Sequence, residues 1–196
     1  MYLTKDQKEL RNVFLRFKAL VELETDLKIK VVRCDNAPEY RSLGTDMLAE
    51  HGIKFEYTTP YTAYQNGVSE RLNRTLVQIA RSMLHSAGLP LYLWGEAIDT
   101  ACYIRNRTLV GLGGLTPEEA YSGKRPYVGH LRTFRYVAYV QEPLDTRDKL
   151  KPTATKTALI GYMSARRMYR LFKPASRSIL VSTSPRFKEG RKLDYP

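Results

Sequence analysis

With 196 residues, of which 43% are hydrophobic and 11% aromatic, the chain has enough apolar side chain for one sizeable core, which excludes a disordered tail. Its two cysteines, Cys34 and Cys102, stand far apart without a CxxC spacing or paired histidines, so a disulfide framework and a zinc finger are excluded and a reducing compartment fits; no apolar run approaches the ~18 residues of a membrane span, and no secretory leader is evident. The net charge of +12 is uneven, with 17 Lys and Arg against 15 Asp and Glu over residues 1–130 (+2) and 15 against 5 over residues 131–196 (+10), so a basic module joined to a nearly neutral one points to a polyanion, nucleic acid first.

In chain order, KDQKELRNVFLRFKALVELE (5–24) sets Leu10, Val13, Phe14, Phe17, Leu20 and Val21 three and four apart, which predicts an amphipathic helix. KIKVVRC (28–34) predicts a strand ending on Asp35, where Asn36, Ala37 and Pro38 stop it. IKFEYT (53–58) alternates Ile53, Phe55 and Tyr57 on one face and predicts a second strand; a short helix over 43–51 lies between them, closed near Gly52. A polar loop then runs into a long helix, capped by Asn66 or Ser69 and closed by Gly88 and Pro90. On that helix Leu72, Leu76, Ile79, Ala80, Met83 and Ala87 share one face, while Glu70, in its first turn, lies opposite with Arg74, Arg81 and His85. Residues 89–107 predict another helix with Pro90 near its start, and TPEEAYSG a short one with Thr116 as N-cap and Pro117 in the first position. Beyond residue 130 the texture changes. FRYVAYV, KTALIGYM, RMYRLF and RSILVSTS are short aromatic and β-branched runs, which predict a small antiparallel β module over 131–196 after an α/β part over 1–130.

Two acids stand out. Asp35, at a strand's carboxyl end, occupies the rim where α/β sheets bind ligands, although a turn cap explains the same residue. Glu70 starts a helix that would neighbour that strand, and two converging carboxylates suit hard divalent cations, Mg²⁺ or Mn²⁺. In the basic module, Lys149, Lys151, Lys156, Arg166, Arg167 and Arg170 are candidate phosphate contacts. Tyr162, Tyr169 and Phe172 either stack on exposed bases or pack the core of the module. Arg71 and Arg74, flanking Glu70, also reach toward phosphates on this reading.

RCDNAPEY, then HGIKFEYTTPYTAYQNGVSERLNRTLVQIARSML, LPLYLWGEAIDTACYIRNR, TPEEAYSGKRPYVGHLRTF and IGYMSARRMYRLFKPASRSILVSTSPRF, in this order over essentially the whole chain, resemble the integrase of copia-type long-terminal-repeat retrotransposons. The stretch Thr59 to Arg74 is the most specific part. The resemblance implies a ribonuclease-H-like, retroviral-integrase-type core, incomplete at its N-terminus, followed by a small all-β SH3-like barrel. It also implies a metal-dependent polynucleotidyl transferase of the Asp-Asp-Glu type that joins element DNA to target DNA. By position Asp35 corresponds to the second catalytic acid and Glu70 to the third, both metal ligands. Tyr61 to Val68 corresponds to the active-site loop, which places Tyr64, Gln65 and Asn66 near DNA ends. Nuclear residence and action as a multimer follow from the same resemblance.

The departures carry expectations of their own. The first acid of the family lies upstream of the part that MYLTKDQKEL resembles, and Asp6 does not replace it. The spacing from Asp35 to Glu70 is one residue shorter than usual, Ala63 stands where a proline is usual, and Arg135 and Tyr136 replace a Gly-Cys pair. These departures read as drift without selection for activity. A catalytically incomplete chain that still binds DNA, or RNA, is therefore expected, with weak metal binding and a self-associating or aggregation-prone core; a host-adopted scaffold or interaction protein is the alternative.

Overall fold

Local signals set most helix ends. Thr116 Oγ1 accepts the Glu119 N–H at 3.1 Å and Pro117 takes the first position of α5 (Pro117–Ser122), as the sequence predicts. Gly52, at φ +66°, closes α2 (Pro38–His51) with its N–H on the carbonyls of Met47 and Leu48. That helix begins five residues earlier than predicted, because Pro38 both ends the preceding strand and fits the first helical turn. The computed structural model describes residues 2, 4, 6–58, 63–110, 113–141, 152–163 and 168–193. The chain forms two compact units that divide between Arg74 and Thr75, inside α3 (Ala63–Ala87).

In the first unit, a short 3-10 turn (Gln7–Glu9) leads into α1 (Leu10–Thr25), close to the predicted helix. Strand β1 (Val31–Cys34) pairs in parallel with β2 (Lys54–Tyr57), Val32 opposite Phe55 and Cys34 opposite Tyr57. Both are shorter than predicted, since a strand extends only as far as its partner supplies ladder bonds. The core is small: Leu43, Met47 and Ile53 are buried, and Phe14, Val32 and Phe55 pack partly against them. Arg11 on α1 donates to both carboxylate oxygens of Glu50 on α2, at 2.8 and 2.6 Å. No residue of α1 is fully buried.

The second unit is a five-stranded antiparallel sheet in the order β6-β5-β4-β3-β7, with helices against one face. Its strands are β3 (Tyr136–Gln141), β4 (Ala154–Met163), β5 (Met168–Lys173), β6 (Ser178–Ser182) and β7 (Arg186–Lys192). β7 was not predicted. Its RFKEGRK carries one apolar residue, Phe187, and it is a strand because β3 supplies the ladder, with Val137 opposite Lys188 and Tyr139 opposite Arg186. The end of α3, from Leu76 to Ala87, and α4 (Trp94–Asn106) share a core with Phe134, Ile160 and Phe172. Thr100 of α4 donates to the Ile160 carbonyl at 2.7 Å, and a Cβ on Gly161 would lie 2.9 Å from its hydroxyl, so glycine permits this close seating. On the other face Ala138, Leu159 and Leu171 pack with Leu180 and Phe187. Residues 75–130 and 131–196 thus share a core, although the change of sequence texture at residue 130 marks where helices give way to strands. Among the described residues no helix is long and apolar enough to cross a membrane.

Candidate nucleic-acid interface

The sheet of the second unit sorts its cations by strand register. Lys156 on β4 stands directly opposite Tyr139 on β3, and Arg186 on β7 stands opposite the same Tyr139. Paired residues point to one face, so Lys156, Tyr139 and Arg186 form a transverse row with an aromatic ring between two cations. Lys188, two residues along β7 and opposite Val137, extends the same face. The three cations are exposed, and Tyr139 is half-buried against Val137, Ala158 and Leu193. This arrangement offers positive charge to phosphates and a ring edge to a sugar or base. Tyr139, Arg186 and Lys188 are absent from the sequence-derived candidates. The cue available in the sequence was the cation-x-cation alternation of Arg186 and Lys188, which is legible only once β7 is known to be a strand.

The other candidates of the basic module divide. Arg170 is committed elsewhere: its Nε and Nη2 donate to the two carboxylate oxygens of Glu96 on α4, at 2.6 and 2.5 Å. That hydrogen-bonded carboxylate holds its guanidinium above the usual arginine range. It ties β5 to α4 and is not presented to a phosphate. Phe172 is fully buried, and Tyr162 is buried with its hydroxyl donating to the Arg132 carbonyl at 2.7 Å and its pKa pushed up to about 12 by burial. Tyr169 is half-buried against Phe187 and Tyr162, so packing takes all three aromatics. Lys149, Lys151, Arg166 and Arg167 lie outside the described residues.

In the first unit, Asp35 ends β1 and is exposed, and its Oδ1 accepts the Ala37 N–H at 3.3 Å. The turn-cap role that explains the residue locally is therefore real, and the second carboxylate oxygen remains. Beside it, burial and the Asp35 charge push the Cys34 thiol up, so Cys34 stays protonated. Glu70 is exposed but is the eighth residue of α3 rather than part of its first turn. The expected loop Tyr61 to Val68 is correspondingly helical from Ala63 onward, and Asn66 and Ser69 lie within the helix instead of capping it. Extending an existing helix needs no new nucleation, and Gly67 costs it only about 1 kcal/mol relative to alanine. Tyr61 lies outside the described residues, as do the side chains of Tyr64, Gln65 and Asn66. Arg71 and Arg74 are exposed on the same helix.

Hard divalent ions take six or more oxygens, and among the described residues no three His, Cys, Asp or Glu side chains gather into a ligand group.

Residues 136–196 match the family described as retroviral polymerase SH3-like domain. Over 192 residues, 97% of this chain, the sequence is 39% identical to the retrovirus-related Pol polyprotein from transposon TNT 1-94 of Nicotiana tabacum. It is 28% and 27% identical, over 96% and 97% of its length, to those from transposons RE2 and RE1 of Arabidopsis thaliana. The chain spans only 14%, 13% and 13% of these three polyproteins. Among solved structures, a chain of the simian T-cell lymphotropic virus intasome in complex with PP2A regulatory subunit B56 gamma matches with a TM-score of 0.50 and 14% identity. That alignment covers 91% of this chain and 62% of the other. Taken with the family match over residues 136–196, this likeness of fold fits an integrase-type core followed by an SH3-like domain.

Proposed function

We propose, for a chain similar along nearly its whole length to one segment of copia-type retrotransposon Pol polyproteins, that its integrase-related role is nucleic-acid binding by the five-stranded sheet. The observation that carries this reading is the row Lys156, Tyr139 and Arg186, extended by Lys188. On this reading the surface holds DNA through its phosphates without reading sequence, since cations on a sheet face meet the backbone rather than base edges. RNA presents the same phosphates. Action at chromosomal DNA in the nucleus, and as a multimer, belongs to the same proposal.

Strand transfer by this chain alone is not part of it. Asp35 and Glu70 would engage Mg²⁺ or Mn²⁺ weakly, because two carboxylates without further ligands leave most of the ion's coordination to water and repel each other when the ion departs. DNA cutting or joining in Mn²⁺ that Glu70→Gln abolishes would overturn this half of the proposal. The alternative, a non-catalytic scaffold for a protein partner, is distinguished by salt: it predicts an affinity for duplex DNA that does not fall with ionic strength.

The test is fluorescence anisotropy of a labelled duplex over a salt series. A plot of log affinity against log salt should fall steeply, and the triple change Lys156→Ala, Arg186→Ala and Lys188→Ala should make it shallower by roughly 2 to 3, at about 0.9 per phosphate contact. An unchanged slope would remove the sheet surface from the interface. Affinity that stays flat with salt would overturn nucleic-acid binding itself.

A further inference from the structure

An apolar groove of about 640 Å³ opens between the end of α3 and the start of α4. One wall is Val77, Arg81 and His85 of α3, and the other is Leu91, Trp94 and Ile98. Buried Ala80 and Leu84 form its floor. Val77 is 53% exposed, Leu91 79% and Trp94 54%, a degree of exposure that apolar side chains at adjoining positions keep only at a cost. All of these residues belong to the second unit.

The groove's dimensions and charge narrow its occupant. Along α3 its lining runs from Val77 to His85, 8 residue steps, which at 1.5 Å per residue is about 12 Å, or a little over two helical turns. A trough of that length, open along its top and walled by apolar side chains at helical spacing, suits an amphipathic helix that lays its i, i+3, i+4 and i+7 anchors into it. A compact ligand would leave much of it empty. Among the residues that line it the polar side chains are Arg81 and His85, and no carboxylate appears. Arg81 supplies a fixed positive charge and His85 a ring N–H, four residues apart on the same wall. We propose that this groove docks an amphipathic helix of a partner protein, with leucine-type anchors between Val77 and Trp94 and acidic residues against Arg81 and His85. The site is separate from the cation row on the sheet and needs neither DNA nor metal.

Trp94 is the single tryptophan of the chain, so its fluorescence reports the groove without a label. The probe is a synthetic 16-residue amphipathic helix with leucine at i, i+3, i+4 and i+7, glutamate on both flanks and no aromatic residue; a second peptide carries lysine in place of every glutamate. With the full chain, the acidic peptide should shift Trp94 emission to shorter wavelength saturably and bind roughly tenfold tighter than the basic one, as attractive contacts are exchanged for repulsive ones. Arg81→Glu should reverse that preference. Leu91→Glu, at a surface position where folding is not at stake, should abolish the shift for both peptides. Equal binding of the two peptides, or no Trp94 response, overturns the proposal. So does a blue shift that grows with protein concentration in the absence of peptide, which assigns the groove to a second copy of the chain. DNA anisotropy is read on the same variants and should not change, so failure here leaves the reading of the sheet untouched.

Discussion

The β1–β2 pair of residues 1–74 is parallel, four residues long and backed by three buried apolar side chains, whereas residues 75–196 hold five antiparallel strands with buried residues on both faces of the sheet. Parallel strands are stable when both faces and both edges are covered, and a two-stranded pair gives little cooperative ladder. The exposures agree: Leu23 is 83% exposed, Leu27 69% and Val31 49%, while Leu159, Ile160, Leu171 and Phe172 are all at or below 1%. The match to the relatives spans both units, so coverage by relatives does not measure self-sufficiency. What decides it is whether the strands in a unit can close their own core.

The largest expected effect that tests this contrast is Phe172→Ala, which removes a fully buried ring from the shared core of helices and sheet. It should cost about 3 to 5 kcal/mol in chemical denaturation, close to the whole margin of a small domain. Leu27→Ala should change stability by less than about 0.5 kcal/mol, since its side chain is already in water. A comparable loss from both would break the contrast. The next effect concerns how α4 is tied to the sheet. Glu96→Gln leaves the partly buried Arg170 guanidinium without its counter-charge and should cost about 1 to 3 kcal/mol; Glu96→Leu combined with Arg170→Met should cost less than the two single changes added together. Strictly additive losses would show that the ion pair contributes nothing beyond packing. The smallest effect has the opposite sign. Arg135 sits at φ +71° with its Nε buried and without a hydrogen-bond partner, so Arg135→Gly should raise the melting temperature by the equivalent of up to about 1 kcal/mol. A loss on this change would mean that the side chain's contact over Gly88 outweighs the backbone strain.

Much of this architecture was legible where one short stretch contains its own cause. Thr116 with Pro117, and Gly52 and Gly88 at positive φ, announce helix ends within a few residues, and the aromatic runs announce β3 to β6. What stayed hidden depends on distant partners. β7 is a strand because β3 lies beside it, and Arg170 is an ion-pair partner because Glu96, 74 residues away in sequence, claims it. The start of α3 misled for another reason: Asn66 and Gly67 carry turn-forming signals that a long helix overrides at small cost. Of the candidate residues, Asp35 was named from its place after a strand and Glu70 from an expected helix start that the structure puts seven residues earlier, at Ala63, whereas the cation row emerged only from the pairing register. A ring flanked by cations from two other strands has no signature in a linear sequence.

Arg135 also shows where a backbone contour comes from. Glycine is the residue that adopts a left-handed backbone without penalty. Here the bend persists under arginine, held by the Arg135 N–H on the Leu159 carbonyl at 2.7 Å and by the Leu193 N–H on the Arg135 carbonyl at 3.3 Å. The contour is thus set by the surrounding strands, through hydrogen bonds of the Arg135 backbone, rather than by the side chain that happens to occupy the bend.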